Sequence, residues 1–414
     1  MPRTASTCAS AWTSSFTTSR RHSDQRGARD VNDTRTEAPR RTALFDEHRA
    51  LGADMTAYSW AGMALPWSYR TSLAEEQRAV RERAGLADVS QLQVLSVAGP
   101  GAVDCLERLL PRRIADMPIS TMRFSVVLSR FGRIVDEAMI LRLRADAFWI
   151  SHGCGTTRAQ LHKLVEAGEV ANVTIDALDD LHVLSLQGPR SLPVLAALAP
   201  PEAALEELPF LAHRRVTLGA ASLLVTRSGF TGELGFELFC ASNDVVALWR
   251  SLLQVGAPEG LVPYAYRCLD LLRIEAGFTL YPVDLAIASS LWEADLGWMV
   301  RDKTADYVGS AALMRAKAAP STTRRFAGLR FGGEQAIARG TMVQRDARDI
   351  GVVTSSAYAP ASAETLCLVH VDALELGRAE PVQVGHTEGT LQRLPFRERR
   401  GGTAPRQALR PELG

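Results

Sequence analysis

The sequence lacks the features that mark most metal, membrane and nucleic-acid proteins. Its six cysteines include no C-x-x-C pair and its eight histidines no H-E-x-x-H motif, so we expect neither a disulfide framework nor a metal site. No apolar run approaches the roughly 20 residues that a membrane-spanning helix requires. The 47 basic and 46 acidic side chains nearly balance, which argues against nucleic-acid binding. We therefore expect a cytoplasmic protein whose partners include no nucleic acid and no membrane.

Length and composition are those of a globular protein with more than one domain. The 414 residues correspond to two or three domains of roughly 100–200 residues each. Residues 1–39 are predicted to lie outside the fold, because the first 23 hold eleven Ser or Thr and no acid. That composition is typical of a transit peptide, but no amphipathic arginine face accompanies it, so a disordered tail or an over-extended translation start is favoured. A flexible tail is also expected at residues 401–414.

A strand that ends in Gly-Pro and leads into an apolar helix occurs twice. Residues 95–100 (L-S-V-A-G-P) are echoed by residues 184–189 (L-S-L-Q-G-P), and proline suits the first helical turn in both copies. Local patterns add a helix over residues 72–84 that stops at Gly85, a strand over 88–97, and a hairpin of 123–128 with 134–143. The repeat predicts an internally duplicated α+β core over residues 40–318.

After about residue 318 the helical pattern disappears. Short strands separated by turn residues are predicted at 326–331, 350–353, 366–371, 381–384 and 390–394. Regularly spaced short strands without helices predict a small closed β-barrel over residues 319–400.

The most informative string is residues 227–237 (R-S-G-F-T-G-E-L-G-F-E). Three glycines at a spacing of three allow the backbone to turn sharply and to approach a ligand. Glu237 follows on a predicted strand, where its carboxylate could accept two hydrogen bonds from an amino-pyrimidine edge. The alternative is a glycine-rich turn with a solvated glutamate.

Three further positions could carry chemistry. Asp136 and Glu137 are neighbours on an apolar strand, so one of them must face inward, either to handle protons or merely to cap a loop or pair with an arginine. Arg273 lies three residues after Asp270 on a predicted helix, where a surface ion pair is the simpler explanation. Cys154 lies between two glycines, but no motif places a base beside it, so a structural role is favoured.

Taken in order, these strings resemble the glycine-cleavage T-protein (aminomethyltransferase) superfamily. The resemblance is carried by residues 41–55, 75–90, 132–137, 186–189, 227–237, 267–277 and 306–313. It runs from about Arg40 to Arg400, and it implies a tetrahydrofolate-binding core of duplicated α+β units with a C-terminal barrel.

The resemblance also implies a catalytic set and a folate-binding set. In the catalytic set, Glu137 would lie nearest the reactive N5 of the folate, beside Asp136, and His152 would stand where the family has Asn and could act as a second acid. Glu237 would hold the pteridine ring. The family's folate-contacting arginine falls on Leu269. The implied folate-binding set is Glu237, Phe230, Phe124, Leu92, Arg267, Arg273 and Trp298.

The sequence departs from the family at several ligand-facing positions. The usual Ser-His-Met reads Ser90-Gln91-Leu92, a Glu-His pair reads Glu76-Gln77, and Phe230 replaces a tyrosine. Such changes are compatible with a relative that uses another one-carbon donor.

Two classes of function remain open. The first is a tetrahydrofolate-dependent transferase, either an aminomethyltransferase whose donor is held on a lipoyl-carrying protein or a demethylase of a small methylated O, S or N donor. The second is a folate-binding protein of iron–sulfur maintenance, whose signature cysteine would fall on Ala305. We expect the aminomethyltransferase type first and the demethylase second.

Overall fold

The structure, a computed structural model, describes residues 39–153, 156–288, 290–301, 303–318 and 324–398. The predicted tails at 1–39 and 401–414 lie outside these residues, except for Pro39, and so does Cys154. None of the described helices is long and apolar enough to cross a membrane.

The first half of the core alternates short helices with antiparallel strands. Its elements are α1 (Phe45–Ala50), β1 (Ser59–Trp60), β2 (Met63–Ala64), α2 (Leu73–Glu82), β3 (Ala84–Asp88), β4 (Gln93–Ala98), α3 (Ala102–Leu109), β5 (Met122–Leu128), β6 (Ile134–Arg144), β7 (Ala147–His152), α4 (Thr156–Glu166) and β8 (Thr174–Ala177).

The second half repeats the succession of elements from β4 to β8 and then adds two helices. Its elements are β9 (Leu181–Gln187), α5 (Ser191–Ala196), β10 (His213–Leu218), β11 (Ala221–Thr226), β12 (Gly235–Ala241), α6 (Ser242–Gly256), β13 (Leu261–Pro263), α7 (Tyr266–Glu275) and α8 (Ser310–Ala318). Short 3-10 turns lie at Pro201–Ala203, Leu205–Glu207, Ala257–Glu259, Leu285–Ile287 and Gly297–Val300.

The strand order of the two core sheets demonstrates the duplication. One sheet has the order β5-β6-β7-β4-β8, and the other has the order β10-β11-β12-β9-β3-β13. Four strands of each sheet therefore follow the same order and the same helix connections. Gly99 and Gly188 end the equivalent strands β4 and β9 with φ of +119° and +117°, a conformation that favours glycine. The predicted duplicated α+β core is confirmed.

Two local predictions between α2 and β4 are wrong. The strand predicted over 88–97 is two strands, because β3 pairs with β9 in one sheet and β4 pairs with β7 in the other. Between them the amide and the hydroxyl of Ser90 donate to Asp88 Oδ1 at 3.0 and 2.5 Å, which closes a turn. Gly85 lies within β3 and does not end α2; a Cβ there would lie 2.5 Å from Val80 and 2.7 Å from Tyr264.

Each sheet buries one face under its own helices and turns the other face toward its duplicate. The outer faces form separate apolar clusters with α3 and α4 in one half and with α5 and α6 in the other. The inner faces meet in a third cluster that also includes residues of α7. The candidate site lies in this inner layer.

The C-terminal region is a closed barrel, as predicted. Its strands are β14 (Arg324–Gly332), β15 (Met342–Arg345), β16 (Arg348–Ala359), β17 (Glu364–Asp372), β18 (Val382–Val384) and β19 (Thr387–Gln392), with a 3-10 turn at Ala373–Glu375. Pairing of β14 with both β17 and β19 closes the six-stranded ring. The sequence missed β15, because its inward position 345 is a buried arginine that bonds to Glu375 and breaks the apolar alternation. The domain boundaries near 318 and 400 stay predictions.

Candidate active site

A cavity lies between the inner faces of the two core sheets, with α7 along one side. Seven of the ten residues named from the sequence line it: Glu137, His152, Glu237, Phe230, Phe124, Leu92 and Trp298. Asp136, Arg267 and Arg273 are not among its lining residues. The fold therefore brings together most of the predicted set from widely separated parts of the chain.

Glu237 projects from β12 into this cavity. Its strand neighbour Phe236 is buried in the outer cluster, so the alternation turns Glu237 inward. Ser228 Oγ donates to Glu237 Oε2 at 2.7 Å and lies 2.7 Å from Thr226 Oγ1. The carboxylate is thus half-buried and oriented by a neighbouring hydroxyl.

The glycine-rich segment before β12 wraps around a buried side chain, that of Gln187. Gln187 Nε2 donates to the Ser228 carbonyl at 3.3 Å, and its Oε1 accepts from Thr231 Oγ1 at 3.0 Å. A Cβ on Gly229 or Gly235 would lie 2.0 or 2.1 Å from Gln187 Oε1. Two of the three glycines are therefore required by close packing on Gln187, and the wrapped segment presents Ser228 and Phe230 to the cavity.

Arg81 of α2 holds the same segment from behind. Its guanidinium donates to Glu233 Oε1 at 2.9 Å, to Glu275 Oε2 at 2.6 Å and to the Thr231 carbonyl at 2.7 Å. All three charged side chains are buried. This network ties the glycine-rich segment to α2 and α7.

Asp136 and Glu137 face opposite sides of β6, as alternation predicts. Glu137 faces the cavity, where its Oε1 accepts from the Tyr281 amide at 3.3 Å. Asp136 is fully buried on the other side and accepts from the amide and hydroxyl of Thr157 at 3.0 and 2.7 Å. Since Thr157 lies in the first turn of α4, Asp136 satisfies a helix N-terminus.

His152 lies at the edge of the cavity and contacts Asp136. Residue 152 pairs with Ala138 in the sheet, so its side chain shares a face with Asp136 and not with Glu137. His152 Nδ1 lies 3.3 Å from Asp136 Oδ2. His152 and Asp136 thus form a buried pair behind the strand that carries Glu137, and the proton-donor role of His152 stays a prediction.

The two arginines of the implied folate-binding set lie elsewhere. Arg267 is exposed. Arg273 is buried, where it donates to Asp284 at 2.6 Å and to the Ser355 hydroxyl of the barrel at 2.7 Å, and bonds to Asp270. Burial alone would lower the pKa of Arg273, but the two carboxylates outweigh it and raise the pKa. The predicted surface pair with Asp270 is therefore part of a buried junction between core and barrel.

Residues 266 and 269 of α7 take the place that the arginines were expected to occupy. Tyr266 and Leu269 both line the cavity, one helical turn apart. The Tyr266 ring stacks on Tyr58 with centroids 4.4 Å apart, and Trp60 lies 6.3 Å away. Trp60 and Tyr266 were not among the predicted site residues, although the aromatic residues are dense between positions 58 and 69 and could have indicated Trp60.

Other residues that line the cavity are aromatic. Phe230 stacks on Phe278 with centroids 5.4 Å apart. The guanidinium of Arg112 lies 4.9 Å from the Trp298 ring and donates to the Phe124 carbonyl at 2.8 Å. Burial lowers the pKa of Arg112 to about 10, so it stays cationic at neutral pH. Among the described residues, no group of His, Cys, Asp and Glu could hold a metal ion.

Comparisons with known proteins agree with this architecture. The GCVT N-terminal domain family matches residues 44–304. An aminomethyltransferase of Streptomyces avermitilis is 34% identical over 371 residues, covering 87% of this chain and 98% of the relative. The heme-dependent oxidative N-demethylase gamma subunit of Ectopseudomonas mendocina is 32% identical over 352 residues, covering 83% and 91%. The glycine cleavage system aminomethyltransferase T of Bartonella henselae superposes with a TM-score of 0.77 at 27% identity, covering 87% and 99%.

Proposed function

Because this chain belongs to the glycine-cleavage T-protein family and is a transferase of the aminomethyltransferase type, we propose that it transfers a one-carbon group to tetrahydrofolate in the cavity between its two sheets. The observation that carries the proposal is the convergence of Glu237 and Glu137, from different sheets, on one aromatic cavity. The family resemblance seen in the sequence is confirmed by the same comparisons.

The cavity residues suit a reduced pterin. A half-buried carboxylate such as Glu237 can accept two hydrogen bonds from an amino-pyrimidine edge, and Ser228 fixes one of its oxygens. Phe230 and Phe278 offer an apolar face for a flat ring. Bound tetrahydrofolate would supply a nucleophilic nitrogen, N5, for the one-carbon group.

The chain's own contribution is to place two reactants together and to move a proton. Glu137 is the carboxylate proposed to take or give that proton, and the backbone amide of Tyr281 holds one of its oxygens. Because the reaction needs two reactants in line in one cavity, most of the rate enhancement would come from proximity. In the aminomethyl version, which we place first, the donor arrives on a lipoyl-carrying protein.

A second candidate, demethylation of a small methylated donor, is favoured by Leu269. This apolar side chain lines the cavity at the position where the resemblance implies a folate-contacting arginine, so the site differs where a ligand would be bound. A relative of the chain is named as an N-demethylase subunit. We do not extend the proposal to iron–sulfur maintenance, because Ala305 replaces the signature cysteine.

Calorimetry on matched glutamate variants tests the site. Glu237→Gln should weaken tetrahydrofolate binding by about 1.5–3 kcal/mol, because a charged acceptor becomes a neutral amide, while the melting temperature stays nearly constant. Glu206→Gln, which changes an exposed glutamate, is the control and should bind folate as wild type does. An unchanged folate affinity in Glu237→Gln would remove this residue from the site.

Product analysis tests the reaction. We expect Glu137→Gln to lower turnover more than folate affinity, since its role is proton transfer. Incubation of the enzyme with tetrahydrofolate and a panel of donors, read by mass spectrometry, separates 5,10-methylene-tetrahydrofolate, the aminomethyl product, from 5-methyl-tetrahydrofolate, the demethylation product. Wild-type turnover of Glu137→Gln on the active donor would exclude Glu137 as the proton-transfer group.

A further inference from the structure

The charged side chains that line the cavity are of one sign. Among the described lining residues, the carboxylates of Glu137 and Glu237 are present and no lysine or arginine is. The buried arginines of the core, Arg81 and Arg273, are each bonded to two carboxylates outside the lining. A small ligand that lies wholly inside the cavity and carries a carboxylate therefore meets two like charges and no lining guanidinium, which is unfavourable at low dielectric.

The cavity has a second group of aromatic lining residues besides the stacked pair of Phe230 and Phe278. Trp60 Nε1 donates to the Gly153 carbonyl at 3.3 Å, which holds the indole in place. The Tyr266 ring is held by its stack on Tyr58. Trp60 and Tyr266, which we call the aromatic wall, both line the cavity and are in place before any ligand enters.

Aromatic rings next to carboxylates favour one class of small molecule. Indole and phenol rings attract a cation through their quadrupole, and methyl groups on that cation add apolar contact. Arg112 already lies against the ring of Trp298, so an incoming cation is not attracted there. The combination of negative charge and aromatic surface therefore points to the aromatic wall.

We propose that the aromatic wall is a subsite for a small methylated ammonium cation without a carboxylate. The role of that cation as one-carbon donor rests on the proposed function, but its binding does not. Trp60 and Tyr266 would contact the methylated nitrogen, and the carboxylates of Glu137 and Glu237 would supply the attraction over a longer range.

Three probes of similar shape test the proposal in the absence of folate. Choline carries the trimethylammonium group, 3,3-dimethyl-1-butanol replaces the charged nitrogen with carbon, and glycine betaine adds a carboxylate. Binding to the full chain is measured by calorimetry. We expect choline to bind at least about tenfold more tightly than either of the other probes. Equal binding of the uncharged alcohol, or tighter binding of betaine, would overturn the proposal.

Variants of the aromatic wall locate the subsite. Trp60→Leu should weaken choline binding about tenfold, and Trp60→Phe, which keeps a ring, should weaken it less. Phe131→Leu, at an exposed hairpin residue, is the control and should leave choline affinity unchanged. Unchanged choline affinity in Trp60→Leu would refute the location.

Folate binding, measured in the same variants, separates the two proposals. If Trp60→Leu retains tetrahydrofolate affinity and loses choline affinity, the loss is not due to misfolding and the subsite is supported. If wild type binds folate but shows no preference for choline, the subsite fails and the proposed function stands. If it prefers choline but does not bind folate, the proposed function fails and the subsite stands.

Discussion

Replacing Gly235 by alanine should destabilise the core through a single side chain, that of Gln187. The new Cβ would lie 2.1 Å from Gln187 Oε1 and 2.3 Å from its Cδ, far inside van der Waals contact. Gly235 does not have a positive φ, so backbone strain adds nothing to the cost. The amide of Gln187 is fully buried and must leave its two partners, Ser228 and Thr231.

The expected cost follows from those two hydrogen bonds. Each is worth about 0.5–1.5 kcal/mol, and a buried amide left unsatisfied costs about 1–3 kcal/mol more, so we expect Gly235→Ala to lower the free energy of unfolding by about 2–6 kcal/mol. Gly332 is exposed and has no positive φ, and a Cβ there would meet no atom within 4 Å beyond its chain neighbours. Gly332→Ala should therefore change stability by less than about 0.5 kcal/mol.

A double-mutant cycle isolates the cause. Urea unfolding of Gly235→Ala, Gln187→Ala and the double variant gives three losses of stability. If Gln187 is the obstacle, the double variant loses clearly less than the sum of the two single losses, with a coupling of about 1–3 kcal/mol. Losses that add within about 0.5 kcal/mol would refute the reasoning.

Two further predictions concern buried charge. Arg81→Met should cost about 3–5 kcal/mol of stability, because it leaves Glu275 buried without its cation and Glu233 with only the longer contact to Arg397 at 3.8 Å. Arg108→Met removes only an exposed pair and should cost less than about 1 kcal/mol, so equal losses in urea would contradict this reasoning. Burial lowers the pKa of His370 from 6.5 to about 4, so the stability that it contributes should be complete above pH 6.5 and fall by up to about 3 kcal/mol as the pH drops toward 4. An unchanged slope of stability against pH in His370→Gln would exclude His370 as the cause.

The sequence predicted features that depend on local pattern. The β5–β6 hairpin, the two Gly-Pro units and the barrel follow from alternation and turn residues within a few positions of one another. The sheet change after Asp88 was missed, because a period of two continues on both sides of the turn and does not specify the partner strand. Strand β15 was not predicted, because Arg345 interrupts the apolar alternation and its ion-pair partner, Glu375, is distant in sequence.

The site, too, could be predicted only as far as local sequence patterns determine it. Alternation placed Asp136 and Glu137 on opposite faces, but only the packing of α4 decides that Glu137 faces the cavity. On α7, the i+3 spacing paired Arg273 with Asp270 correctly. It could not show that the arginine also bonds to Ser355 of the barrel, while Leu269 turns to the cavity. Long-range partners decide which face of an element becomes functional.

Helix α7 contributes both to the cavity and to the interface between the core and the barrel. On one side Tyr266 and Leu269 line the cavity, and on the other Leu271 and Ile274 pack against barrel residues of β16 and β17, in a cluster with Leu366. A ligand that binds in the cavity and stabilises α7 therefore also stabilises the barrel, by thermodynamic linkage. Amide hydrogen exchange in β16 and β17 should slow when the cavity fills, although none of the barrel's described residues lines it.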